Sequence, residues 1–152
     1  MSNDLNSNTS FPRVAVLGCG AWGKNLVRNF AELGALTAVC DSDTEKVDAL
    51  ASLYNVPSLS EDQILADPTF EAIVIASLAP LHTSHAEKAL KAGKHVYIEK
   101  PMALTVKDAK NLWDCIPNGT DILITHGPPY GILDKTINGN YAGCRDLLTK
   151  VY

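Results

Sequence analysis

Short, nearly unbroken apolar runs alternate along this chain with longer stretches in which apolar residues recur every three or four positions. The runs Arg13 to Leu17, Leu36 to Cys40, Ala72 to Ala76, His95 to Ile98 and Ile122 to Thr125 read as strands. Their continuous apolar character is that of strands buried on both faces of a parallel sheet. Val56 to Leu59 is a weaker candidate. Leu26, Val27, Phe30 and Leu33 repeat at helical spacing, with Gly34 as a stop. Val47, Leu50, Ala51 and Tyr54 form a second stripe, behind Ser42 and Glu45 in capping-box spacing. Ser60 with Gln63, Ser84 with Glu87, and Thr105 with Asp108 repeat that signature ahead of further helices, which stop near Ala66, Gly93 and Pro117-Asn118-Gly119. Such alternation predicts right-handed βαβ units. The expected fold class is α/β, a Rossmann-type doubly wound parallel sheet in the order 3-2-1-4-5-6, with Ile122 to Thr125 in the sixth position.

The ends differ in kind from the middle. Residues 1–11 are rich in Asn and Ser and read as a disordered leader. Residues 12–126 form the expected domain. Residues 127–152 read as an irregular tail that opens on Gly-Pro-Pro and ends in a short amphipathic helix, Cys144 to Tyr152.

Composition narrows the class further. A length of 152 residues fits one domain, and 13 basic against 17 acidic side chains give a net charge of −4, which argues against a nucleic-acid partner. No apolar run approaches the roughly 18 residues of a membrane span, and the N-terminus lacks a secretion signal. A soluble, cytoplasmic chain without a membrane partner is the expectation. Cys19, Cys40, Cys115 and Cys144 are too far apart for a CxxC pattern; Cys19 and Cys40 fall in apolar runs and read as small hydrophobes.

The strongest local signal is Gly18-Cys19-Gly20-Ala21-Trp22-Gly23, between the first strand and the first helix. In that setting the first glycine permits a tight turn, the second lets a pyrophosphate approach the backbone, and the third lets helix and strand pack closely. The helix N-terminus adds free N–H groups and a positive dipole end. Asp41 closes the second strand, where a carboxylate can bind the adenosine ribose hydroxyls. Ser42 and Asp43 follow with no adjacent Arg or Lys to receive a 2′-phosphate, so NAD is favoured over NADP. A glycine-rich turn serving some other ligand is the plainer alternative.

Val14-Ala15-Val16-Leu17 running into that loop, and Ala92-Gly93-Lys94-His95-Val96 leading into Glu99-Lys100-Pro101, resemble the glucose–fructose oxidoreductase, inositol dehydrogenase and MocA (Gfo/Idh/MocA) family. Ala76-Ser77 and His82 resemble its loop after the fourth strand, with Leu78 where proline is common. The resemblance covers about residues 12–110, and Gly23 to Asp41 is most similar to members acting on nucleotide-linked amino sugars, such as UDP-N-acetylglucosamine 3-dehydrogenases. It implies an NAD(H)-binding domain whose cofactor contacts extend from Gly18, Gly20, Ala21, Trp22, Gly23 and Asp41 to Ser77 and His82. Glu99, Lys100 and Pro101 complete them. For His82 a helix-capping role is an equal alternative. Lys100 matches the lysine that lies by nicotinamide and substrate, where an ammonium can hydrogen-bond the hydroxyl being oxidised, and burial would tune it for that role. The parent reaction is hydride transfer from a sugar carbon to NAD. The family's second, substrate-binding domain is not recognisable here, so no turnover is expected of this chain alone.

Past Lys110 the sequence resembles something else. Leu112-Trp113-Asp114-Cys115-Ile116-Pro117, then Asp121 to Gly131 with Thr125-His126-Gly127-Pro128-Pro129, look like the late part of calcineurin-like metallophosphoesterases. His126 matches a metal ligand of that family. Its DxH, GNH[DE] and GHxH motifs are lacking, so no metal site is expected, because two-metal chemistry needs several ligands from separate strands. A remnant phosphoesterase is one alternative to the dehydrogenase reading. A non-catalytic interaction protein is another, in which the face left bare by the substrate domain favours association into a homo-oligomer.

Overall fold

The structure, a computed structural model, describes residues 11–151. The expected leader therefore lies outside the described residues except for Phe11. Four parallel strands, β1 (Val14–Leu17), β2 (Leu36–Cys40), β3 (Ala72–Ile75) and β4 (His95–Ile98), form one sheet in the order β2-β1-β3-β4. The helices are α1 (Gly23–Glu32), α2 (Thr44–Tyr54), α3 (Glu61–Ala66), α4 (His82–Lys91), α5 (Val106–Cys115) and α6 (Arg145–Val151), with a 3₁₀ turn at Ala79–Leu81.

Alternation along β1 explains the continuous apolar runs. Val14 and Val16 pack with Leu26 and Val27 of α1 and Val47 of α2 on one face. Ala15 and Leu17 pack on the other with Ile64 of α3, Ala86 and Ala89 of α4, and Leu112 of α5. Each fully buried Val, Leu or Ile contributes about 1.5–3 kcal/mol, so both faces must stay covered. On the second face α3 is tied to α4 through Glu61, whose carboxylate meets His85 Nδ1 at 2.5 Å and Lys88 Nζ at 2.6 Å. Burial works to raise the Glu61 pKa, but the hydrogen bonds and charges of Lys88 and His85 outweigh it and hold the carboxyl below its ordinary range.

Two capping expectations hold in atomic detail. Ser60 and Gln63 form a reciprocal capping box, and Thr105 Oγ1 accepts from the Asp108 amide. Two do not. The N-cap of α2 is Asp43 rather than Ser42, its carboxylate accepting from the Lys46 amide at 3.2 Å. Helix α4 starts at His82, because the 3₁₀ turn runs directly into it, so Ser84 lies inside the first turn rather than capping it.

The sheet also departs from six strands. Val56 to Leu59 contributes a single parallel bridge, Ser58 to Val39, at the outer edge of β2. Ile122 to Thr125 forms no strand, and β4 is the edge of the sheet. Ile122 and Ile124 are 78% and 88% exposed. Local bonds shape both flanks of this short segment, from Thr120 to the Pro117 carbonyl before it and from Thr125 Oγ1 to the Gly127 carbonyl after it. The two prolines beyond Gly127 offer no backbone donor to a ladder. The tail instead packs through α6, where Leu147 is buried and Asp146 pairs with Lys110 of α5 at 3.2 Å. Ile124→Lys is accordingly expected to change unfolding stability by no more than about 0.5 kcal/mol, the usual range for a surface change. A loss of about 2 kcal/mol or more in urea titration would mean that Ile124 is buried in a fifth paired strand.

Candidate functional site

The carboxyl ends of the four parallel strands share one edge, and the loops leaving them build a crevice of the kind that takes ligands in open α/β sheets. Gly18 leaves β1 with φ +101°, and a Cβ there would lie 2.4 Å from the backbone of Ala76 and Ser77. Its amide donates to the Cys40 carbonyl at 2.8 Å. Gly23 opens α1 so close to this turn that a Cβ would stand 1.9 Å from the Gly18 carbonyl oxygen. These two glycines let three backbone segments touch. Gly20 is different: it has no positive φ, and a Cβ there would meet nothing within 4 Å. Nothing in the chain itself requires glycine at that point. The amides of Gly20, Ala21 and Trp22 donate to no acceptor among the described residues. They stand free at the N-terminus of α1.

Asp41 is tied to this loop. One carboxylate oxygen accepts from the Cys19 amide at 2.5 Å, and the other from the Asp43 amide at 2.9 Å. Lone pairs remain on both oxygens for further donors. A cation stands nearby: Lys46, one helical turn on, pairs with the Asp43 carboxylate. Burial, reinforced by the charge of Asp41 and by Cys40, pushes the Cys19 thiol up to about 12, which suits the inert, hydrophobe-like role read from sequence.

The other wall comes from β3, α4 and the loop after β4. Ser77 Oγ is buried with no hydrogen-bond partner among the described residues. The His82 ring lies between two carbonyls, Nδ1 at 2.8 Å from Pro101 and Nε2 at 2.9 Å from Ser77. Both nitrogens face backbone carbonyls, and α4 has no side-chain cap bond. Lys100 precedes a cis peptide bond to Pro101 and is exposed, so the burial expected around its ammonium is not supplied by these residues. Glu99 accepts from the Tyr97 hydroxyl at 2.9 Å and from the Lys100 amide at 3.3 Å. Burial raises its pKa, but the Trp22 indole, the Tyr97 hydroxyl, the Lys100 amide and the Lys100 charge together hold it below the ordinary carboxylate range. Through Trp22 the ring of contacts closes back on the glycine loop. Tyr97 was not anticipated, although its place two residues before Glu99 puts both on one side of the strand path.

The profile of an oxidoreductase family with an NAD-binding Rossmann fold, Gfo/Idh/MocA, matches residues 12–125. D-apiose dehydrogenase of Paraburkholderia graminis is 33% identical over 100 residues, 63% of this chain and 27% of that protein. Among solved structures, the WlbA dehydrogenase from Bordetella pertussis, in complex with NADH and UDP-GlcNAcA, superposes with a TM-score of 0.65 at 30% identity, over 70% of this chain and 33% of that one. The UDP-N-acetylglucosamine 3-dehydrogenase from Acidithiobacillus ferrooxidans gives 0.65 at 29% identity, over 70% and 34%. The chain spans about a quarter to a third of the length of the curated relatives it matches. The metallophosphoesterase resemblance is unsupported: the profile runs through residue 125, His126 is exposed, and among the described residues no three His, Cys, Asp or Glu side chains are grouped to hold a metal ion. Among the described residues, too, no helix is long and apolar enough to cross a membrane. Topology, glycine loop and profile agree, and the chain belongs to the Gfo/Idh/MocA oxidoreductase family, of which it carries the NAD-binding Rossmann fold.

Proposed function

We propose that the crevice holds NAD(H) with its pyrophosphate on the amides of Gly20, Ala21 and Trp22, its adenosine ribose on Asp41 and its nicotinamide beside Lys100. The observation that carries this reading is the set of three unpartnered amides at the start of α1, next to a glycine that the chain does not otherwise need. The partnerless Ser77 hydroxyl fits it as well, since buried polar atoms are normally satisfied by something. Gly18, Gly23, Glu99 and Pro101 act by shaping the two walls. When bound, the cofactor supplies the hydride acceptor. Lys100 then hydrogen-bonds the reacting hydroxyl and assists the loss of its proton to water. The whole protein is read as an NAD-dependent dehydrogenase of nucleotide-linked amino sugars. The names of two structural neighbours and the likeness of Gly23 to Asp41 support that substrate class.

Selectivity rests on Asp41. Lys46 is already neutralised by Asp43, so the free carboxylate charge facing a 2′-phosphate is that of Asp41. Calorimetric titration is expected to show NADH binding in the micromolar range and much weaker NADPH binding. Asp41→Ala removes a charged acceptor from the ribose, so NADH should weaken by about tenfold while the gap to NADPH closes. Gly20→Val should abolish binding of both without unfolding the chain. Equal affinity of the unaltered chain for NADH and NADPH would remove Asp41 from the site. No heat with either cofactor, from a chain that circular dichroism shows folded, would overturn the cofactor reading.

A further inference from the structure

His82 is 2% exposed, an unusual setting for a side chain with two polar nitrogens. Its ring spans loops that reach the crevice from different strands, with the Ser77 carbonyl at the end of β3 and the Pro101 carbonyl after β4. Both neighbours are acceptors with no proton to give. A neutral ring can donate to one of them and a ring protonated on both nitrogens to both, and in neither state is a nitrogen left for a ligand. The next residue reinforces the tie: Thr83 Oγ1 donates to the Met102 carbonyl, at a longer 3.4 Å. The start of α4 therefore moors the segment that follows Lys100.

The two carbonyls are placed for more than packing. Ser77 belongs to the backbone that lies against Gly18, so it is fixed to the glycine loop. Pro101 follows Lys100 directly. One ring thus sets the span between the pyrophosphate end of the crevice and the lysine. An apolar side chain of similar volume would remove the ring's donor from between the two part-buried carbonyls and leave the two walls free to drift apart.

We propose that His82 is a positioning residue: it holds the Lys100–Pro101 loop at a fixed distance from the glycine loop and so sets the space for the nicotinamide half of the cofactor, touching neither cofactor nor substrate. This rests on the NAD(H) reading of the crevice. ADP-ribose separates the two halves, because it carries the adenosine and pyrophosphate but no nicotinamide. In His82→Leu, NADH affinity is expected to fall about tenfold while ADP-ribose stays within about threefold; His82→Gln, which keeps one donor, should lie between. Should His82→Leu fail to fold, His82→Gln carries the comparison. Equal losses for the two ligands, or an unchanged NADH affinity, would overturn the proposal.

Amide hydrogen exchange on the ligand-free chain gives a second reading that does not depend on cofactor. Residues 99–103 should exchange faster in the variants while β2 and α2 keep their protection. A uniform rise along the chain would reduce His82 to a core residue. If the unaltered chain binds neither NADH nor ADP-ribose, the cofactor reading fails, and the exchange pattern alone decides whether His82 ties the loops.

Discussion

Gly23→Ala is expected to cost roughly 3 kcal/mol or more of unfolding stability, although alanine is the better helix former by about 1 kcal/mol. The added methyl would stand 1.9 Å from the Gly18 carbonyl oxygen and 2.8 Å from its carbon. That carbonyl cannot retreat. Gly18 is held by its bond to Cys40 on one side and lies against the Ala76–Ser77 backbone on the other. The helix must move instead, and α1 carries Leu26 and Val27 out of contact with Val14 and Val16. Gly20→Ala is the control, because its methyl meets nothing within 4 Å; stability should stay within about 0.5 kcal/mol. Urea unfolding followed by circular dichroism measures both. A Gly23→Ala chain within about 1 kcal/mol of the original would show that the loop relaxes, and the close packing of helix on turn would then be no constraint.

This contrast marks what the motif made legible. From the pattern alone, three glycines had three distinct reasons, and two of those reasons are visible as near-collisions of backbone. β1 and β3 were legible for a similar cause: burial on both faces leaves a continuous apolar run that few other settings produce, whereas β4, at the sheet edge, leaves His95 and Tyr97 exposed. Ile122 to Thr125 has the same look and forms no strand. A run of residues records a preference, whereas a strand also needs a neighbouring edge within reach of its hydrogen bonds, and here turns flank the segment on both sides. The false start of α4 at Ser84 has a local cause too, since a preceding 3₁₀ turn supplies the entry that a cap would otherwise provide.

Other features lay beyond sequence for reasons of distance. His82 was visible as a candidate, but its role depends on carbonyls at Ser77 and Pro101, and backbone oxygens carry no signature in a sequence. Lys46 is the opposite case. Its spacing from Asp43 is one helical turn, so the ion pair could have been read from the helix assignment itself. Recognising it shifts the burden of cofactor discrimination from a pair of carboxylates onto Asp41.

Lys94→Met is expected to destabilise the chain by about 2–3 kcal/mol, the cost of stranding the buried Phe70 carbonyl and the part-buried Asp67 carbonyl that a charged donor had satisfied. Gly93-Lys94-His95 looks like the solvated entrance to a strand, yet Lys94 is only 8% exposed. Its ammonium donates to the Asp67 and Phe70 carbonyls at 2.8 Å each, which closes the C-terminal end of α3 onto the start of β4. Methionine keeps most of the stem volume, so the apolar packing of that stem is retained and the change isolates the polar head. The loss should propagate, because Phe70 is buried in the second core with Ile64 and Ile73, and freeing its carbonyl loosens that ring. The same urea titration reads the result, with the slope unchanged if the unfolded state is unaffected. A shift below about 0.5 kcal/mol would mean that water reaches both carbonyls and that the ammonium is dispensable. The expected loss would instead make Lys94 the link that joins α3 to β4, far from the cofactor crevice and independent of it.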